Sequence, residues 1–384
     1  MANGAHRLLS LIAALVYVPS CPLWADPLPG TTLPQIKPAA YKPGREIAKL
    51  ANQAITESSG IACSRATPRV FWTHNDSGAA PRLFAFNLNG EDLGTYPLQG
   101  ANAQDWEDIC SYSVAGEHFL LVADTGDNAA RRKIYSLYVI HERAMVGRQG
   151  KSQPLALFAR QDFTYEDGPR NCESAAVDPV RREIVLVSKT SNPACKAYVL
   201  PLPSKKNPDK AVARPVATLT IPTTSAMDIS PDGLRALVLT YGDAYEYTRQ
   251  PGEDWIRGFA RQPRIIKMPA RAQGEAACYG ADGVTIYLTS EKIPAPLLEV
   301  APSNIEPQPP APAPPSSLPQ FKTVADAQKA AVGRYPDLGI THSKMNTEFA
   351  ALYKRYQQQR PEYFRDVSWP IRLAEEAARN LKHH

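Results

Sequence analysis

ESSGIACS (Glu57–Ser64), DWEDICSY (Asp105–Tyr112), CESAAVDP (Cys172–Pro179), TSAMDISPDG (Thr224–Gly233) and GEAACYGADG (Gly274–Gly283) are five openings of one repeat. Each opens with Ser or Glu within its first three residues, runs through a short stretch of small and apolar residues, and reaches a turn before a stronger apolar strand. Placed in register, they align Ser59, Glu107, Glu173, Ser225 and Glu275, with steps of 48, 66, 52 and 50 residues. A period of this size marks a β-propeller of four-stranded blades. The long second step is absorbed by the loop from Glu142 to Leu155.

The strands between the openings support the same reading. Val70–Thr73, Leu83–Leu88, Phe119–Ala123, Ile134–Ile140, Ile184–Ser188, Ala197–Leu200, Val216–Ile221, Ala236–Thr240, Ile265–Met268 and Val284–Thr289 are short and β-rich, and Gly, Pro, Asn and Asp punctuate them. No long helical period appears between residues 55 and 300. The last group shows only three strands, ending at Leu297–Val300, and Glu46–Ala51 can supply its fourth. That closes the ring and removes exposed edges. The expected fold is an all-β, five-bladed propeller over residues 46–301, preceded by an extended segment at 26–45. Six blades stay open if a degenerate repeat is hidden. A solenoid fits less well, because its ends would need caps.

Both ends of the chain differ from this body. Arg7 followed by the apolar run Leu8–Val18 reads as an export signal over residues 1–25, with cleavage after Ala25. Val18-Pro19-Ser20-Cys21 is a poor lipoprotein box because of its proline, so lipidation at Cys21 is the lesser alternative. The expected location is periplasmic or extracellular, with no transmembrane segment in the mature chain. Residues 302–319 hold eight prolines and form a stiff spacer. In the tail, residues 320–384, Thr323 and Asp326 resemble a helix capping box. Met345, Phe349, Leu352, Tyr353 and Tyr356 share one face of a helix that Pro361 ends, and Trp369, Ile371, Ala374, Ala378 and Leu381 suggest another. Such a small α-helical tail is expected to pack on the propeller or to grip a partner.

Charge and cysteine usage exclude several classes. The net charge is +5. Arg7 is the one charge in residues 1–25, and residues 320–384 carry eleven Lys/Arg against seven Asp/Glu. Residues 26–319 are therefore neutral, without the basic footprint that nucleic acid requires. No C-x-x-C occurs, so a zinc ribbon is unsupported. Cys172 and Cys195 flank a hairpin and are expected to form a disulfide. Cys63, Cys110 and Cys278 lie in strands and read as small buried hydrophobes.

In a propeller the first strand of each blade lines the central channel. Ser59, Glu107, Glu173, Ser225 and Glu275 then point at one axis, where three carboxylates demand a cation or protons. Ca²⁺ suits oxygen ligands, and no His or Cys stands at these positions. This ring of Ser, Glu, Glu, Ser and Glu resembles the central calcium site of the calcium-dependent apyrases (soluble nucleotidases), which are five-bladed propellers. The resemblance implies the five residues as direct or water-mediated calcium ligands. It covers the first strands and blade spacing of residues 57–300, and no nucleotide-contacting segment matches. Exported lactonase-like and phytase-like propellers also hold calcium, so calcium alone selects no substrate.

The turns after the second strands are polar and lie near one channel end. They offer His74, Asn75 and Asp76; Asp124, Asp127, Asn128 and Arg131; Lys189; Asp243; and Glu291. Asp76 or Asp124 can serve as general base with Lys189 beside them, and the others can bind a phosphate or polyol. The ring and the turns admit two functions. One is a calcium-binding module for a small anionic ligand or an envelope protein, acting as a monomer. The other is a calcium-dependent hydrolase of a phosphoester or phosphoanhydride. No serine-hydrolase elbow, Walker loop or EF-hand is present.

Overall fold

A computed structural model describes residues 40–142, 153–203, 210–303, 321, 323–340, 343–359, 364 and 367–382. The expected export signal, Cys21, most of the Glu142–Leu155 loop and nearly all of the proline-rich stretch lie outside the described residues. The chain divides into two compact units, residues 1–304 and 305–384. Among the described residues no helix is long and apolar enough to cross a membrane.

The first unit is built of short antiparallel meanders. β1 (Arg45–Lys49) opens it. β2 (Ser58–Cys63), β3 (Val70–Asn75), β4 (Arg82–Asn87) and β5 (Asp92–Gln99) pair in sequence order. So do β6 (Trp106–Val114), β7 (Glu117–Asp124), β8 (Tyr135–His141) and β9 (Leu155–Tyr165). The third set is β10 (Cys172–Asp178), β11 (Glu183–Ser188), β12 (Cys195–Pro201) and β13 (Ala211–Leu219). The fourth is β14 (Thr224–Ile229), β15 (Arg235–Thr240), β16 (Ala244–Thr248) and, after the short helix α1 (Trp255–Phe259), β17 (Arg264–Ile266). β18 (Ala276–Tyr279), β19 (Ile286–Thr289) and β20 (Pro296–Val300) complete the unit, and β1 pairs with β20 as the expected fourth strand. Outer strands of neighbouring meanders touch through short parallel ladders, β5 with β9 and β9 with β13.

The first strands neighbour one another in cyclic order, β2, β6, β10, β14, β18 and back to β2. They are small-residue strands, buried along almost their whole length. Successive side chains of a strand point to opposite faces, and here the two faces feed two different cores. Ile61 and Cys63 pack with Phe71, Phe84, Ala276 and Leu297, while Ala62 joins Trp72, Leu83, Ile109 and Leu120. Cys110 joins Leu121, Ala175 and Leu186, while Ala176 joins Val187, Met227 and Val238. Ala226 meets Leu237, Ala277 and Tyr279. Each core thus lies between two consecutive meanders, and one lies between the last and the first. This is an all-β, propeller-type architecture.

A strand at the centre of such a ring has an inner edge with no ladder partner, and buried backbone groups must find other partners. Side chains from neighbouring meanders supply them. Asp108 is fully buried. One of its oxygens accepts from the N–H of Ala175 at 2.9 Å and of Met227 at 3.0 Å, and the other from Ile109 at 2.9 Å. It ties β6 to both β10 and β14. Asp228 accepts from the N–H of Tyr279 at 2.8 Å and joins β14 to β18. Ser225 donates to the Gly274 carbonyl at 2.8 Å.

The expected disulfide is absent. Cys172 and Cys195 are buried free thiols. β11 runs between their strands, since Cys172 faces Ser188 and Val187 faces Ala197. Two strand spacings come to about 10 Å, beyond the roughly 7 Å that a disulfide can bridge. Cys63, Cys110 and Cys278 are buried thiols, as their strand positions suggested.

The second unit is helical, with α2 (Val324–Arg334), a 3-10 turn (Pro336–Gly339), α3 (Lys344–Gln359) and α4 (Trp369–Lys382). Thr323 and Asp326 form the capping box that their spacing suggested. Met345, Leu352 and Tyr356 of α3 pack against Ala331, Leu338, Ile371, Leu373, Ala374 and Ala377. The apolar helix faces are buried against one another within the unit.

Replacing Asp108 with Ala strips three buried N–H groups of their acceptor and is expected to cost about 3 kcal/mol or more. That lowers Tm by about 6–12 °C for a domain of this size. Asp108→Asn keeps an acceptor oxygen and costs less. An unchanged melting curve for Asp108→Ala would contradict the assigned role.

Candidate metal centre

Strand register brings the ring residues and the turns to one end of the unit. Ser58 faces Asn75, Trp106 faces Asp124, Cys172 faces Ser188, Thr224 faces Thr240 and Ala276 faces Thr289. The start of each first strand therefore sits beside the turn that follows the second strand. In four of the five pairs the register slips by one residue, and the extra residue is Ser59, Glu107, Glu173 or Ser225. Glu275 lies one residue ahead of β18. A bulge re-aims its extra side chain, so the aligned set occupies equivalent positions for a structural reason.

All three glutamates are nearly buried, with 5–6% exposure. Burial pushes the Glu107 carboxyl well above its usual range, and the charges of Glu173, Asp76 and Asp105 push it further. Glu173 is raised to about 7, by burial above all, with Glu275 adding to the shift. They differ in their partners. Glu173 pairs with the Lys189 ammonium and accepts from Asn171 Nδ2 at 3.1 Å. Burial works against the Lys189 charge, but Glu173 outweighs it and raises its pKa. Glu275 Oε1 accepts from the Tyr241 hydroxyl at 2.9 Å and from Gln273 Nε2 at 3.0 Å. Among the described residues, no hydrogen bond reaches the Glu107 carboxylate.

Asp76 connects the uncompensated acids. One oxygen each from Asp76, Asp105 and Glu107 lie within 4.8 Å of one another, and the same holds for Asp76, Glu275 and Glu291. At that spacing, with an effective dielectric of about 20, each pair of charges repels by about 3 kcal/mol. Solvent reduces this for the half-buried Asp76 and Asp105. Burial followed by neighbouring acids raises Asp76 to about 6, and burial with a hydrogen bond to Glu275 raises Glu291 to about 8. The DTGDN loop passes directly over the cluster at Gly126. A Cβ there would stand 2.1 Å from Glu107 Oε1 and 2.3 Å from Asp105 Oδ2, so a larger residue would displace both acids. These groups offer oxygen only, the donor set that hard cations such as calcium take.

Other predicted residues serve different ends. Ser59 and Ser225 donate to the carbonyls of Glu107 and Gly274 at 3.4 and 2.8 Å, stitching neighbouring meanders. Asp124 is no free base. It accepts from Arg132 Nη1 at 2.8 Å and from the N–H of Gln104 and Asp105. Asp127 caps its own loop through the N–H of Arg131 and Arg132 and accepts from the Tyr135 hydroxyl. Arg131 is exposed, and Arg132 is the arginine that reaches inward. Asn75 caps the N–H of Thr56 and Glu57. His74 is fully buried against the Trp106 edge, with Nδ1 on the Asn75 carbonyl at 3.0 Å, and burial lowers its pKa to about 4. Asp243 pairs with Lys267 at 2.6 Å on the far side of its own meander. Asn128 accepts from Asn171 Nδ2, which also bonds Glu173.

Asp105, Gln273, Asn171 and Tyr241 were missing from the predicted site. The first three lie two residues ahead of Glu107, Glu275 and Glu173 respectively. That shared spacing was the available signal. Tyr241 gives none beyond its place in a turn.

No family model and no curated protein matches the chain. Among solved structures it is similar to a luciferin-regenerating enzyme, at 8% identity and a TM-score of 0.36, over 67% of this chain and 95% of that one. It is similar to the nidogen/laminin complex at 14% identity and a TM-score of 0.35, over 62% and 73%. A gluconolactonase from Xanthomonas campestris matches at 10% identity and a TM-score of 0.36, over 71% and 99%. Likenesses this distant carry no argument, and the fold rests on the chain's own strand pairing.

A carboxyl whose pKa is raised on folding holds a proton that the unfolded chain releases. Its cost to stability is absent below the unfolded pKa and grows as pH climbs toward the folded one. Glu107→Gln is therefore expected to raise Tm in a chelator, slightly at about pH 5 and by about 3 °C or more at about pH 7.5. A lower Tm at both pH values would show that the carboxylate is compensated by another group.

Proposed function

We propose that this chain is an exported calcium-binding protein of the propeller class that takes a ligand or protein partner at the acidic end of its ring. The observation that carries the reading is the Glu107 carboxylate, 6% exposed, without a hydrogen-bond donor among the described residues and set against Asp76 and Asp105. A buried charge of this kind calls for a proton or a cation. Asp76, Asp105 and Glu107 would hold calcium, with Glu275 and Glu291 adjoining. The ion would supply positive charge where the meanders open, which suits the oxygens of a small anionic ligand or an acidic group on an envelope protein. Lys189 and Tyr241, joined by a 2.7 Å hydrogen bond, add a second polar wall beside Glu173 and Glu275. The apolar run behind Arg7 supports export.

A second reading is calcium-dependent hydrolysis of a phosphoester or phosphoanhydride. Asp76 favours it by position, as a half-buried carboxylate beside the proposed ion and able to accept a proton from water. Lys189 would then orient the substrate. Glu173 already neutralises its charge, so it contributes little as a free cation.

Calcium about 100-fold above its Kd adds about 2.7 kcal/mol by mass action. Relative to chelator, Tm is expected to rise by about 5–10 °C, and sodium chloride at matched ionic strength gives no such shift. An unchanged Tm with calcium overturns the reading. Phosphate release from a nucleotide panel that needs calcium, and disappears in a folded Asp76→Asn variant, selects the hydrolase. Calcium binding without release selects the binding protein.

A further inference from the structure

We propose that the acidic end of the ring holds two cations side by side, with Asp76 as the carboxylate they share. This rests on the calcium reading above and sets its stoichiometry. The five aligned first-strand residues suggest one ion on the axis. The side chains divide otherwise. Lys189 already neutralises Glu173, and Ser59 and Ser225 are uncharged and donate to backbone carbonyls, so they add nothing to the charge balance. What is left is Asp76, Asp105, Glu107, Glu275 and Glu291, in two groups whose common member is Asp76.

Two buried carboxylates point into these groups. Glu107, 6% exposed, has no hydrogen-bond donor on either oxygen among the described residues. Glu275, equally buried, accepts on Oε1 from Tyr241 and Gln273, and its other hydrogen bond among the described residues is to the Glu291 carboxyl. The carboxyl set against Glu275 is that of Glu291, another acid. The first group thus contains a buried carboxylate with no donor among the described residues, and the second a buried carboxylate whose free side meets only another acid. Charge balance points the same way. None of the five acids forms an ion pair among the described residues, so with all five ionised one divalent ion would leave three negative charges and two ions leave one. Gly126 closes over the first group, where a Cβ would collide with Glu107 and Asp105. The second group is bounded by Gln273, whose amide bonds both Glu275 and Glu291. A carboxylate has lone pairs enough to ligate two hard cations at once.

The test is a calcium titration of the metal-stripped full chain by calorimetry, with native mass spectrometry to count bound ions. Two calcium ions per chain are expected. Asp105→Asn and Glu291→Gln should each leave one, and Asp76→Asn should weaken both by about tenfold or more. Replacing an acid by its amide relieves repulsion in the metal-free chain, so these variants are expected to fold, and circular dichroism checks it. Manganese titrated into the unaltered chain gives a readout free of variants, since two neighbouring Mn²⁺ ions produce a spin-coupled resonance and one gives a simple six-line spectrum. One bound ion overturns the paired sites and leaves the calcium reading standing. No bound ion overturns both. Two ions of which Asp76→Asn affects only one overturns the bridge.

Discussion

The unpaired inner edge of each first strand is the constraint on which the rest of this structure depends. Where β2, β6, β10, β14 and β18 converge, ladder hydrogen bonding stops and backbone groups face a narrow interior. Oxygen-bearing side chains from neighbouring meanders complete them. Asp108 alone satisfies three N–H groups drawn from three strands, and Asp228 links the fourth meander to the last. Burial alone would make these carboxylates costly. Backbone donors offset that cost, and the same bonds hold the meanders in their cyclic order.

The acidic end follows from this arrangement. Deep in the ring every carboxylate has N–H donors. One residue nearer the opening, bulges turn Glu107 and Glu173 toward the same interior, and the supply of donors runs out. Lys189 answers for Glu173, and Tyr241 with Gln273 answers for one oxygen of Glu275. Nothing comparable answers for Glu107. Two residues a single position apart in DWED therefore lead opposite lives. Asp108 stabilises the fold, while Glu107 is held in a place where its charge is unfavourable until something positive arrives. Sites poised in this way are common where proteins bind ions or carry out chemistry.

Much of this was legible in the sequence. The small-residue openings and their near-regular spacing located all five first strands, and the closing role of the segment before Ala51 followed from a missing strand. The aligned Ser and Glu residues proved equivalent because four of them are bulge residues, a regularity that spacing records. Asp76 and Glu291 of the turns stand in the acidic cluster, but other turn residues do not, because chemical type does not reveal whether backbone N–H groups already occupy a side chain. Asp124, Asp127 and Asn75 are all taken up in this way, and His74 is sealed behind Trp106. The Cys172–Cys195 pairing failed because hairpin proximity in sequence says nothing of the strand that lies between. The apyrase resemblance rests on the five aligned residues alone, of which the structure leaves two glutamates in the acidic cluster.

The most direct measurement is an anomalous difference map from crystals of the full chain grown with Mn²⁺ or a lanthanide in place of calcium. The account predicts density within coordination distance, about 2.5 Å, of the Glu107 and Asp76 carboxylates. A featureless map at that end of the ring, with Glu107 instead hydrogen-bonded to a protein donor, would contradict it.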